Sequence, residues 1–126
     1  LGSLYFTQKN LASKVGFICA DGCSPPLKSG TFDAVALFST LHHFPAPETV
    51  LKNTAGLLKK DGFMAVMCEP VNDTLDGAET IRELQKGINE QVFTWPEYVR
   101  IFALAGLDVA YLQIDGGSLK AILTCR

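Results

Sequence analysis

Several signatures are absent from this 126-residue sequence, and each absence narrows its chemistry. There is no Gly-x-Gly-x-x-Gly and no Gly-x-x-x-x-Gly-Lys run, so no backbone cradle for a dinucleotide or a triphosphate is announced. No apolar run approaches the roughly 20 residues that span a bilayer, so a membrane helix is not expected. Basic residues are not in excess: 11 Lys and Arg stand against 13 Asp and Glu, for a formal net charge of −2. Nucleic acid is therefore not the expected partner. Cys19 and Cys23 lie four apart, but no second Cys or His pair stands at a ligand spacing, so no metal site is expected. Ser39 and Thr40 lack a Gly-x-Ser-x-Gly elbow, which argues against a hydrolase nucleophile.

What remains is the composition of an ordinary folded domain, 48% hydrophobic and 19% charged, with one core expected. The four cysteines, Cys19, Cys23, Cys68 and Cys125, sit mostly in or beside apolar runs and read as small buried hydrophobes. Reduced thiols and the lack of a secretory leader point to the cytoplasm. The first residue is Leu1 rather than Met.

Periodicity divides the chain into alternating elements. Tyr5 to Lys14 carries a short helical pattern, and Val15 to Ala20 has the length of a buried strand. Asp21 to Gly30, with two prolines, two glycines and two serines, is a loop. Phe32 to Phe38 is apolar almost throughout, as a parallel strand covered on both faces would be, and is expected at the centre of a sheet. Pro45 and Pro47 precede a helix whose Val50, Leu51, Ala55, Leu57 and Leu58 recur at helical spacing until Lys59-Lys60-Asp61-Gly62 stops it. Phe63 to Cys68 is the next strand, ended by Glu69-Pro70. Thr80 to Gly87 is amphipathic, and Trp95 to Ala105 is a helix with Thr94 as cap, Glu97 three residues on, and Trp95 as its packing anchor. Leu107 to Ile114 and Leu119 to Thr124 form a hairpin around Asp115-Gly116-Gly117. The order predicts an α/β sheet with crossover helices, mostly parallel with a C-terminal antiparallel hairpin, and ligands collecting at the strands' carboxyl ends.

Those ends hold the candidate site residues. Asp21 and Gly22 place a carboxylate acceptor beside an unhindered amide, a pair suited to an adenine edge. The same carboxylate can instead close the Cys23-Ser24 turn by bonding its own backbone. His42 and His43 are candidates for a general base, or one is a packed, hydrogen-bonded side chain. As neighbours on an extended segment they would point to opposite sides and not chelate one metal. Glu69 either faces the same cleft as His42 or bonds an amide of the loop that follows it. Glu90 either lines a substrate entrance or is a solvated loop carboxylate.

Five signals in order resemble the class I S-adenosylmethionine-dependent methyltransferases of the small-molecule type. They are Cys19-Ala20-Asp21-Gly22, Pro25-Pro26-Leu27, Ser29-Gly30-Thr31-Phe32-Asp33-Ala34-Val35, Leu41-His42-His43-Phe44-Pro45 and Leu57-Leu58-Lys59-Lys60-Asp61-Gly62. The resemblance implies a sheet of order 3-2-1-4-5-7-6, of which residues 1–126 supply a single partial domain, a truncated Rossmann-like methyltransferase sheet from the third strand onward. It places Asp21 and Gly22 at the adenine, Leu37 and Phe38 along the methionine part of S-adenosylmethionine, and His42 and His43 near the transferable methyl. The family's glycine-rich loop and ribose-binding acid do not occur in this sequence. Strands one and two would separate strand three from strand four, so the third strand is expected to shift beside Phe32–Phe38, a homodimer and a partner chain being the other routes. The implied function is methyl transfer to a small molecule, with weak or no cofactor affinity in this chain alone. The alternative is a noncatalytic remnant acting as a binding or dimerisation module. A nicotinamide oxidoreductase is disfavoured by the terminal hairpin.

Overall fold

The computed structural model describes residues 14–71, 82, 85–87 and 89–126. In chain order its elements are β1 (Phe32–Phe38), a 3-10 turn (Leu41–His43), α1 (Pro47–Ala55), β2 (Leu58–Pro70), α2 (Trp95–Leu104), β3 (Leu107–Asp115) and β4 (Ser118–Cys125). All of the helical pattern over Tyr5–Lys14 except Lys14, and most of that over Thr80–Gly87, lie outside the described residues.

The four strands form one sheet of order β1-β2-β4-β3. The β1–β2 pair is parallel and the other two pairs are antiparallel, so the sheet is mixed. In the seven-strand family order this is the run 4-5-7-6. Period-two alternation assigns the faces. Met64 and Val66 of β2 and Leu119, Ala121 and Leu123 of β4 join Tyr98, Ile101 and Phe102 of α2 and Leu51 of α1 in one buried core. The opposite sheet face, with Phe38, Phe63 and Tyr111, stays exposed.

Local chemistry accounts for the boundaries. Pro47 opens α1 at its first position, where a missing N–H costs nothing. The helix stops at Ala55, earlier than its spacing predicts, because Leu57 is drawn into β1 pairing: the Thr31 and Phe32 amides both donate to the Leu57 carbonyl, at 2.9 and 3.0 Å. Lys59–Gly62 therefore begins β2 rather than ending α1. Gly62 fits there because a Cβ would stand 3.0 Å from the Asp33 carbonyl oxygen. Helix α2 starts as expected, with a reciprocal capping box between Thr94 and Glu97. The β3–β4 hairpin turns on Gly116 and Gly117, both at positive φ (52° and 76°), as a tight primed turn requires.

Five expectations are corrected. Val15–Ala20 forms no strand and is largely exposed, with Phe17 and Ile18 among the exposed large hydrophobics. It does not shift beside β1: a parallel neighbour needs a crossover of about a dozen residues or more, normally helical, and Asp21–Thr31 is a short, proline-bearing loop. Strand β1 is consequently an edge rather than the centre of the sheet. The cysteines are not buried: Cys19 and Cys125 are exposed and Cys23 and Cys68 half-buried, all as free thiols. Trp95, expected as an anchor, is 48% exposed, and the helix is held instead by Tyr98, Ile101 and Phe102.

Candidate functional site

The loop after β1 and the end of β2 meet at one buried carboxylate. In β2 the register with β4 shifts between Val66 and Glu69, and Cys68 takes φ +58° within that irregularity. A bulge of this kind re-aims the next side chain. Here it accompanies a Glu69 that is fully buried beneath the β1 loop. Ser39, at φ +46°, makes the matching turn out of β1, its amide donating to the Met67 carbonyl at 2.8 Å.

Glu69 then organises the 3-10 turn. Its Oε1 accepts from the Thr40 and Leu41 amides, both at 2.9 Å, and its Oε2 from the His42 amide at 3.1 Å and His42 Nδ1 at 2.6 Å. Burial alone would push this carboxyl up. The hydrogen bonds from His42, Leu41 and Thr40, with the His42 charge, outweigh it and hold Glu69 below the usual glutamate range. Of its two sequence readings, Glu69 shares the cleft with His42, and the amides it binds belong to the loop after β1 rather than to its own following loop.

The 3-10 turn also corrects the expectation for the histidines. A tight helical turn, unlike an extended segment, brings their rings to one side, with centroids 3.9 Å apart. His42 is buried, with Nε2 3.6 Å from Glu90 Oε1, while His43 Nδ1 lies 3.1 Å from Glu90 Oε2. Glu90 is thus no solvated loop carboxylate, since its side chain is only 11% exposed.

The segment 89–91 clamps this turn. Asn89 Nδ2 donates to the His43 carbonyl at 3.0 Å, the Gln91 amide donates to the His42 carbonyl at 3.1 Å, and Gln91 Nε2 donates to the Phe44 carbonyl. Tyr98 closes the site from below, its hydroxyl donating to the Pro70 carbonyl at 3.0 Å. Burial, then the nearby Glu69 and Glu90 charges, raises its phenol, so it stays a neutral donor. Asn89, Gln91 and Tyr98 were not singled out as site residues in the sequence. Tyr98 shows only as a core position, and no periodicity marks Asn89 or Gln91.

The cofactor candidates are placed less uniformly. Asp21 Oδ1 accepts from the Cys23 amide at 2.8 Å, the local turn that was its second reading. Gly22 lies flat against Phe44, where an added Cβ would come within 2.8 Å of the ring, so this loop abuts the residue following the two histidines. Leu37 packs inward against the core, whereas Phe38 projects outward and is 64% exposed. An apolar groove of about 330 Å³ runs beneath Gly22, Leu27 and Leu57. It follows the first half of β1, from Phe32 to Val35, rather than its carboxyl end, and among the described residues Thr54 is the only polar side chain lining it. The convergent polar groups are at the histidine turn, and there we place the site.

A four-stranded mixed sheet with helices packed on it and a polar cluster at the ends of β1 and β2 is a truncated Rossmann-like α/β fold. Residues 3–66 match the sequence model of the methyltransferase domain, and the chain belongs to that family. Solved structures share the fold. A SAM-dependent methyltransferase from Thermotoga maritima is 20% identical, with a TM-score of 0.72 over 95% of this chain and 70% of its own. The O-methyltransferase NcsB1 of neocarzinostatin biosynthesis, solved with S-adenosyl-L-homocysteine and 1,4-dihydroxy-2-naphthoic acid, is 16% identical, with a TM-score of 0.77 over 99% and 38%. The cyclase SpnF is 18% identical, with a TM-score of 0.70 over 88% and 38%. This chain spans only 38% of the last two structures, and a cyclase among them shows that the fold alone does not name the reaction. Among the described residues no helix is long and apolar enough to cross a membrane.

Proposed function

We propose that residues 1–126 are the carboxyl-terminal part of an S-adenosylmethionine-dependent methyltransferase acting on a small-molecule acceptor, with His42 as the group that takes the acceptor's proton. The single observation behind the base assignment is the 2.6 Å contact between Glu69 Oε2 and His42 Nδ1. A carboxylate only accepts, so Nδ1 carries a proton, and in the neutral ring the lone pair is the one on Nε2. Glu69 also fixes the ring against the turn's own amides, which holds Nε2 in one direction. His43, with its ring against His42 and 37% exposed, is the outer wall of the same site.

The family's cofactor fits the donor chemistry of this chain on one flank. Asp21 offers an acceptor and Gly22 an unhindered amide for the adenine edge, with Leu37 and Phe38 alongside the strand end. S-adenosylmethionine supplies an electrophilic methyl group when bound. The residues here supply orientation, exclusion of water and a proton acceptor. Because Asp21 is engaged by Cys23 and the glycine-rich loop is not in this sequence, the 126-residue chain is proposed to bind the cofactor weakly or not at all. Four free thiols support a cytoplasmic setting, and the near-neutral charge supports a small-molecule substrate over nucleic acid.

A second reading, a noncatalytic binding or dimerisation module, is favoured by the open edge of β1 and its exposed Phe38, where a second copy or another chain would add a strand. Calorimetry separates the two. The 126-residue chain should show no micromolar S-adenosylmethionine binding, and a polypeptide that carries a glycine-rich strand-loop-helix before Leu1 should regain it. In that polypeptide His42→Ala should lower kcat by about 10²–10⁴-fold with cofactor affinity retained. Full activity of the variant would remove His42 from the mechanism.

A further inference from the structure

The neighbourhood of Glu90 holds more acceptors than donors. The His42 Nε2 lone pair faces Glu90 Oε1 at 3.6 Å, beyond hydrogen-bonding distance. Glu90 Oε2 is shut off from solvent and accepts no hydrogen bond from the described residues, although His43 Nδ1 stands 3.1 Å away. The reason is that His43 Nδ1 lies 2.9 Å from the Asn89 carbonyl oxygen, which can only accept, so the ring's hydrogen is directed there. A buried carboxylate facing a lone pair, with no donor for either among the described residues, is unfavourable unless a cation, a proton on Nε2 or a metal ion, lies between them.

The spacing suits a metal. Ligand atoms from His42, His43 and Glu90 all lie within 4.8 Å of one another. Tetrahedral ligands at zinc's usual distance of about 2.0–2.1 Å stand about 3.3 Å apart, close to the 3.6 Å between His42 Nε2 and Glu90 Oε1; His43 would join through its unprotonated ring nitrogen, since Nδ1 is turned to the Asn89 carbonyl. The widest separation closes by rotation of His43, whose side chain is 37% exposed and would give up its 2.9 Å contact with the Asn89 carbonyl. His42 is already held through Nδ1 by Glu69, the outer-shell carboxylate that metal-bound histidines commonly carry. Two imidazoles and a carboxylate favour zinc and similar divalent transition metals over magnesium or calcium, which prefer oxygen-only sets.

We propose that His42 Nε2, a ring nitrogen of His43 and the Glu90 carboxylate form a binding site for a divalent cation of the zinc class, with the fourth position open. This goes beyond methyl transfer and does not depend on it. A cation on Nε2 denies that atom to an acceptor's proton, so metal binding and base action exclude each other.

The test uses the 126-residue chain and zinc chloride alone, in competition with a chromophoric chelator, so its result is independent of any activity. One equivalent should bind, and cobalt(II) in its place should give the visible bands of a tetrahedral site. His43→Ala and Glu90→Gln, each checked for folding by circular dichroism, should weaken zinc at least about tenfold, the lower limit seen for losing even an outer-shell partner. A Cys19→Ser/Cys23→Ser chain should bind zinc unchanged. Absence of stoichiometric binding, an affinity indifferent to both His43→Ala and Glu90→Gln, or its loss in the cysteine variant would overturn the site.

Discussion

The two edges of this sheet are finished in opposite ways. At the β3 edge the chain closes on itself: the hairpin pairs from Leu107↔Cys125 to Asp115↔Ser118 with one register shift between Val109 and Tyr111, Arg126 pairs with Asp108 at 2.8 Å, and α2 covers the inner face. At the β1 edge the strand has one neighbour, its outward residues are exposed, and the residues before it, from Val15 to Ala20, join no strand. The closed half contains what a stable fold needs. The open half contains the positions proposed to meet the cofactor, and the histidine proposed to take the proton lies on the seam between the two halves.

The largest expected effect lies wholly in the closed half. Phe102 is fully buried between α2 and the sheet and stacks near Tyr98 with ring centroids 6.1 Å apart. Phe102→Ala should cost about 3–5 kcal/mol through lost transfer energy and a cavity, enough to unfold a domain of this size. Urea denaturation measures it. A loss below about 1 kcal/mol would mean that the helical layer is not what holds the sheet.

At the seam, Glu69→Gln should destabilise by about 1–3 kcal/mol, since the amide replaces a fourfold acceptor with a group that presents donors to donors. The pH dependence has a definite sign. The folded carboxyl is held below its ordinary value, so its contribution is complete above about pH 4.3, the value for an unperturbed glutamate, and is lost as the pH falls through the lower folded value. Denaturation midpoints measured between neutral pH and pH 3 should therefore drop more steeply for the native chain than for Glu69→Gln. Equal slopes would show that Glu69 does not titrate with folding.

The same contrast explains what was legible in the sequence. The closed half was readable element by element because its signals are local: the Thr94–Glu97 box, the Gly116-Gly117 turn and the two- and three-to-four-residue periodicities each fix their structure with neighbours in the chain. Val15–Ala20 has the composition of a strand, but a strand exists only with a lateral partner, and composition does not supply one. The family nevertheless follows from loop signatures such as Leu41-His42-His43-Phe44, which survive without that strand. Within the site, His42 and His43 were visible as residue types. Their convergence was not, because it depends on a 3-10 turn capped by a carboxylate 27 residues away and on a backbone bulge at Cys68.

The smallest expected effect probes the open edge and decides whether it is open in solution. Phe38 stands at the end of β1, paired only to Met67 and 64% exposed, so Phe38→Ala removes a ring that contributes little to the core. The change should lie within about 0.5 kcal/mol, as for a surface site, and hydrogen exchange along β1 should be faster than along β4, which has partners on both sides. A cost above about 1 kcal/mol, or slow exchange along β1, would require this ring and this strand to be covered. If that cost and protection grew with protein concentration, the cover would be a second copy of the chain, since only an intermolecular contact gains stability by mass action. Concentration-independent protection would assign the cover to residues of the same chain.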